Sequence, residues 1–395
     1  MRRSPFLFGL LPAFALGCTP FIAPQSAGRT AEAPLAATED RCVQNVDAIR
    51  SAVNDVATRQ ANIGMSVAVG RAGRIVFSEG FGMADLENGV PATPRTRYGV
   101  ASIGKAFTGV ALLKAVERGQ LDLDAPIQTY VPDFPRKPGG EITARLLAAH
   151  LAGIRHWSTE RTPALYARHI DDVRDILPLF AADTLVAPPG TRYSYSSHGY
   201  NLLGAALQAA TGTRYQDLVV RDVIAPLALT STGLDDVRQI IPLRARKYSF
   251  YDLVTFADLT EPVRVPDWDY SHNMAAGNVI TTAEDLVRFG DALTRPGLLN
   301  EASFAAMYRR PRLGAVESPM SFGWFVSDST EVTRRLYIGG SNAGVQSGLA
   351  VYPDERLVIA IISNTWGKGS RSGELGGSGL TALPARIAAA CLARP

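Results

Sequence analysis

Ser102-Ile-Gly-Lys105 is the only Ser-x-x-Lys in this 395-residue chain, and it opens an apolar run with helical spacing. Residues three apart share a helix face, so the pair sets a serine hydroxyl beside a lysine amine at a helix N-terminus. The serine N–H then faces outward at the positive end of the helix, where negative charge is favoured. Serine is a weak nucleophile until a base takes its proton. A lysine can do so when burial and neighbours lower its pKa enough to leave part of it neutral. The tetrad alone arises by chance in chains of this size. Its surroundings carry the weight.

Ser66-Val-Ala-Val-Gly, Arg74-Ile-Val-Phe and Gly80-Phe-Gly-Met-Ala-Asp read as two strands and a turn leading to the Ser102 helix. Downstream lie Gly119-Gln-Leu-Asp-Leu-Asp-Ala-Pro-Ile, Val131-Pro-Asp-Phe-Pro, and Ile142 to Ile154 with Ala152 near its end, followed by Arg155-His-Trp. Pro189-Gly-Thr-Arg-Tyr-Ser-Tyr195-Ser-Ser197-His-Gly-Tyr200-Asn, Arg244-Ala-Arg, the stretch Tyr337 to Ser347, and Asn364 complete the set. Together these segments resemble the serine β-lactamase and penicillin-binding-protein superfamily, in its class C and esterase branch. Within it the chain is similar to the mitochondrial serine β-lactamase-like proteins and their bacterial relatives. The likeness runs from about Val43 to the C-terminus. It implies an α/β (α+β) fold of the β-lactamase/transpeptidase type, an antiparallel sheet flanked by helices. The domain spans 41–395, with an α/β lobe from about 41–121 and 274–395 and a mostly helical lobe from about 122–273. The active site is then expected in the cleft between the lobes.

The resemblance assigns roles residue by residue. Ser102 is the nucleophile, and Lys105, Tyr195 or both accept its proton. Tyr195 falls on the tyrosine of the superfamily's Tyr-x-Asn motif, with Ser197 in place of asparagine. A phenol near an ammonium group ionises more easily and can shuttle a proton to the leaving group. The plainer reading makes Tyr195 a loop aromatic that packs a corner. The third motif, Lys-Thr-Gly or His-x-Gly in relatives, departs further. Aligning Gly340 and Gly344 leaves Ile338 at the basic position, and a shift of one residue would put Tyr337 there. The Ser341 N–H, past Gly340, is expected to form an oxyanion hole with that of Ser102.

Isoleucine offers no charge and no side-chain donor. Losing one charge-assisted hydrogen bond to a substrate carboxylate costs about 1.5–3 kcal/mol. The expected substrate is therefore a neutral ester or internal amide, with β-lactam hydrolysis weak or absent. Arg334 and Arg335 stand just upstream, either compensating for the lost cation or as solvated strand-end charges. The rival reading is a catalytically weak scaffold or binding protein that keeps the fold and self-associates into filaments.

Hydrophobic residues make up 46% of the chain and charged residues 19%, enough for a substantial core. A net charge of +3 with no polybasic tract excludes a nucleic-acid partner. The five histidines form no His-Glu-x-x-His, and no metal or cofactor is expected. His150 reads as a buttress behind the site. Met1-Arg-Arg and an apolar stretch to Leu16 read as a signal peptide over 1–18, so the protein is expected to be exported to the periplasm or anchored as a lipoprotein. Ala15-Leu-Gly-Cys18 resembles a lipobox, leaving Cys18 either lipidated or lost with the leader. Residues 19–40, rich in Ala, Pro, Thr and Ser, read as a flexible tether. In the resembling fold the terminal helices lie side by side, which leaves Cys42 and Cys391 as a disulfide or as two free thiols.

Overall fold

The computed structural model describes residues 40–157, 166–327, 334–368, 380 and 382–392. The leader, Cys18 and nearly all of the tether lie outside them, as does most of the glycine-rich 367–379 stretch. The elements that build the frame are α1 (Val46–Arg59), β1 (Gly64–Arg71), β2 (Arg74–Asp85), β3 (Val90–Pro91), α2 (Gly104–Glu117), α3 (Ser197–Thr211), α4 (Ala283–Asp291), β4 (Met320–Ser321), β5 (Trp324–Ser327), β6 (Arg335–Asn342), β7 (Val345–Tyr352), β8 (Leu357–Ser363) and α5 (Leu383–Leu392).

The eight strands form one antiparallel sheet in the order β4-β5-β6-β7-β8-β1-β2-β3, so both ends of the chain meet at its centre. β1 and β2 are joined by a turn in which Ala72 and Gly73 both have positive φ, +50° and +82°. Two-residue hairpin turns need that geometry to match the twist of their strands.

The central strands are apolar on both sides because both sides are covered. Val67, Val69, Ile359 and Ile361 pack under α1 and α5, while Ala68, Val358, Ala360 and Ile362 belong to the larger core with α2, α3 and α4. Alternation along each strand sends neighbouring side chains to opposite faces, so two apolar layers require a continuous apolar run. In α1 the buried residues Ile49, Ala52, Val53 and Val56 recur at helical spacing. A disulfide joins Cys42, just before α1, to Cys391 in α5, with 4.4 Å between the Cα atoms. Of the two readings left open by the sequence, the structure carries the bonded one.

Residues 122–273 supply α3 and several shorter helical turns, together with a hairpin of Tyr248–Tyr251 and Asp258–Arg264. Thr282 caps α4, its Oγ1 accepting from Asp285 N–H at 3.2 Å. Among the described residues no helix is long and apolar enough to cross a membrane.

Candidate active site

Ser102 sits in a tight turn, Ala101–Ile103, that runs straight into α2. A neighbouring strand holds the approach to the turn. Val100 N–H donates to Val279 O at 3.0 Å, and Tyr98–Gly99 pairs with Val279–Thr281. Ala101 has φ +46°, a left-handed conformation that strains a residue with a Cβ and here turns the chain at the nucleophile. Next to it, a Cβ on Gly104 would lie 2.8 Å from Gly277 Cα. Glycine is what lets the helix start touch the backbone carrying Ala276.

That contact places the base. Lys105 is fully buried, and its Nζ hydrogen-bonds to Ser102 Oγ at 3.2 Å, Ser197 Oγ at 3.0 Å and Ala276 O at 2.9 Å. Burial pushes its amine down to about 7, because charging it there means giving up water. In the neutral form, two N–H groups serve Ala276 O and Ser197 Oγ, and the lone pair is left for the Ser102 proton. Ser197 thus takes a direct place beside Lys105.

Tyr195 OH donates to Ser102 Oγ at 2.8 Å, and Lys105 Nζ lies 4.9 Å from the centre of its ring. The structure corrects the expectation that the neighbouring ammonium eases ionisation of this phenol. Burial dominates and pushes Tyr195 up to about 12. The two shifts run in opposite directions, with Lys105 pushed down and Tyr195 pushed up.

Four contacts zip the 150–156 loop to the 194–197 turn. Ser194 N–H donates to His150 O at 2.9 Å, and Ser196 N–H to His150 Nδ1 at 3.0 Å. Ser196 Oγ donates to Arg155 O at 2.9 Å, and Ser197 N–H to His156 Nδ1 at 3.1 Å. His150 also packs against Tyr195, with ring centres 4.4 Å apart and planes tilted by 31°. Burial holds its pKa well below the usual histidine range, so it accepts as a neutral ring.

β6 forms the opposite wall. A Cβ on Gly340 would meet Val100 O at 2.1 Å and Ser102 N at 3.0 Å, so this glycine lets the strand lie against the nucleophile turn. Ser347 Oγ donates to Val100 O at 2.8 Å and braces the same turn. Alternation decides the register of the third motif. Ile338 shares Gly340's face and is buried in the core with α2, whereas Tyr337 faces the other way, against the cluster of α1 and α5. Arg334 pairs with Asp354 at 2.6 Å and Arg335 bonds Tyr352, so both are strand-end charges away from the cavity.

Ser102, Ser197 and Ser341 line one cavity of about 180 Å³, and Gly340 lies behind Ser102. Among the described residues, the remaining wall comes from Ala101 and from residues to which sequence reasoning gave no place in the site: His156, Trp157, Tyr166, Tyr270, His272, Asn273 and Asn342. Their only signal was proximity to motifs, His156-Trp157 after the Gly153 turn and Tyr270 to Asn273 ahead of Gly277. Ala276 acts through its carbonyl and has no residue-type signature. Among the described residues no group of three His, Cys, Asp or Glu could hold a metal ion.

The same architecture recurs in solved structures. D-amino acid amidase from Ochrobactrum anthropi SV3 superposes with a TM-score of 0.73 at 22% identity, covering 88% of this chain and 98% of that one. EstCE1, a hydrolase with promiscuous acyltransferase activity, gives 0.71 at 20% identity, covering 88% and 99%. In sequence, the human mitochondrial serine beta-lactamase-like protein LACTB is 32% identical over 296 residues, 58% of this chain and 53% of the relative. The chain thus spans about half the length of the curated relatives it matches first. The Beta-lactamase family model matches residues 40–377, which takes in every motif residue brought together around Ser102. On that match, the chain belongs to the beta-lactamase-like serine hydrolase family.

Proposed function

We propose that this protein is a serine hydrolase that cleaves a neutral ester or amide through an acyl-enzyme on Ser102. The observation that carries the reading is a buried amine with a pKa of about 7 placed 3.2 Å from the Ser102 hydroxyl. As Ser102 Oγ bonds to the substrate carbonyl carbon, its proton passes to Lys105 Nζ and the carbonyl electron pair moves onto oxygen. That oxyanion is received by the N–H groups of Ser102 and Ser341. Tyr195, neutral and already donating to Oγ, gives its proton to the departing group and is resupplied from Lys105. Water then attacks the acyl carbon by the reverse proton path and frees Ser102. No cation stands at Ile338, so a substrate carboxylate has no partner at the usual place.

The amidase and hydrolase among the structural neighbours support acyl transfer as the class of reaction. A catalytically weak scaffold remains the competing reading, favoured by the apolar Ile338. The test compares p-nitrophenyl butyrate with the cephalosporin nitrocefin, for the wild type and Ser102→Ala. Ester turnover that disappears in Ser102→Ala, with kcat/KM for nitrocefin at least about tenfold lower, is the expected result. Efficient nitrocefin turnover contradicts the neutral-substrate reading, and no turnover of either compound favours the scaffold.

A further inference from the structure

A second cavity, of about 570 Å³, lies at the other end of the helix that Ser102 leads into. Lys114 and Arg118 stand there at the end of α2, Arg288 and Asp291 in the last turn of α4, and Arg221, Asp222 and Arg295 beside them. α2 has 14 residues, which at about 1.5 Å per residue sets this cavity about 20 Å from the nucleophile. The two cavities share no lining residue.

Among the described residues the wall carries five cations, Lys114, Arg118, Arg221, Arg288 and Arg295, against two carboxylates, Asp222 and Asp291. In its arginine pairs the carboxylate is buried and the guanidinium is open to solvent. The side chain of Asp222 is 1% exposed, while Arg118 and Arg221, bonded to it at 2.7 Å and 2.8 Å, are 38% and 47% exposed. Asp285, at 3%, holds Arg288, at 45%, in the same way through a 2.8 Å bond. These buried anions fix the guanidinium planes and leave other N–H groups unused. Arg118 spends one N–H of each Nη on Asp222, which leaves its Nε–H and the second N–H of each Nη. Arg295 is exposed, and among the described residues no carboxylate meets it. It follows α4 outside any helix, so no helix dipole accounts for a cation there.

We propose that this cavity binds a phosphate monoester, with Arg295 and the unused N–H groups of Arg118, Arg221 and Arg288 on the phosphate oxygens. A planar carboxylate is satisfied by one guanidinium fork. A phosphate ester offers three oxygens and nearly two charges to forks arriving from several sides. Arginines already held by buried carboxylates lose little freedom when the ligand arrives. The cavity is larger than a phosphate group and in the size range of small-molecule sites, with Pro226, Leu227 and Pro296 left for the rest of the ester. The inference is independent of the chemistry at Ser102, and its failure would leave the hydrolase reading standing.

Titration calorimetry of the whole protein with glycerol 3-phosphate tests it, at about 0.15 M salt so that charges beyond about 8 Å are screened. Saturable binding with a Kd below about 1 mM is expected. Glycerate, whose only anion is a carboxylate, is expected to bind at least about tenfold more weakly. Arg295→Gln breaks no ion pair and is expected to weaken glycerol 3-phosphate at least about tenfold. Arg59→Gln removes the same charge from α1, on the other face of the sheet, and is expected to change nothing. Phosphatidylcholine vesicles containing phosphatidic acid present the same group on a lipid. Cosedimentation that depends on Arg295 assigns the site to a lipid headgroup, and calorimetric binding without cosedimentation assigns it to a soluble ester. No Arg295-dependent binding in either arm, equal weakening by Arg59→Gln, or glycerate bound as tightly as the phosphate overturns the assignment.

Discussion

Lys105 Nζ lies 3.2 Å from Ser102 Oγ, and the three oxygens it meets, Ser102 Oγ, Ser197 Oγ and Ala276 O, are all uncharged. With no opposite charge to hold the proton, burial alone sets the basicity of the amine. The protein thereby turns a residue that is ordinarily a fixed cation into a base that works near neutral pH.

The pH dependence of acylation follows directly. Lys105 must be neutral to accept the Ser102 proton, so kcat/KM for an ester should rise about tenfold per pH unit below a pKa of about 7 and level off above it. Tyr195, at about 12, should add no descending limb in the accessible range. Stopped-flow rates from pH 5 to 9 check this, and a flat profile contradicts it.

Ser197→Ala removes an oxygen that accepts from the lysine cation at 3.0 Å. The charged form loses more than the neutral one, so the folded pKa of Lys105 should fall further and the ascending limb should move acidic by about one pH unit. The shift of the limb is the readout, since a purely structural fault would lower rates without moving it.

Much of the fold could be read from the residues, because its signals are local. Apolar spacing in α1 and the apolar runs of β1 and β8 reflect burial that each segment's own pattern announces. Ser102 and Lys105 are one helical turn apart, and Tyr195 and Ser197 share a short motif, so the sequence presents them in order. The rest depends on contacts between distant segments. Ala276 contributes a carbonyl, which every residue has. The tautomers of His156 and His272 are set by the Ser197 N–H and Asp269 O, and no spacing rule shows which ring nitrogen meets them. Burial also outweighed charge at Tyr195, a balance that requires knowing how deep the phenol lies. The alignment of Gly340 and Gly344 puts Ile338 at the basic position, and strand alternation, with Gly340 against Ser102 N, agrees with it.

Gly340→Ala tests the close approach of β6 to the nucleophile turn. The new Cβ would overlap Val100 O and Ser347 Oγ, which a Cβ would meet at 2.1 Å and 2.5 Å. The strand must then move away from the Ser102 N–H, and loss of one oxyanion donor from position costs about 10²-fold in kcat. Ester kinetics beside a thermal melt separate this from unfolding: the variant should keep a cooperative transition.

The Cys42–Cys391 bond closes a loop of 349 residues and ties α5 to the start of α1. Cys391→Ser should lower unfolding stability by about 2–5 kcal/mol. Denaturant titration with and without reductant checks it: reductant should shift the wild type toward the variant and leave the variant unchanged. Isolation of the protein in the oxidised form would support the expected exported location, because such bonds persist in oxidising compartments.

The central claim is that Ser102 is an activated nucleophile. Incubating the folded protein with a fluorophosphonate and mapping the adduct by mass spectrometry tests it most directly, with Ser102→Ala and Lys105→Ala in parallel. Stoichiometric phosphonylation at Ser102, absent in Ser102→Ala and slowed at least about 10²-fold in Lys105→Ala, is the result this account predicts. A folded wild type that stays unlabelled, or labels at another residue, would contradict it.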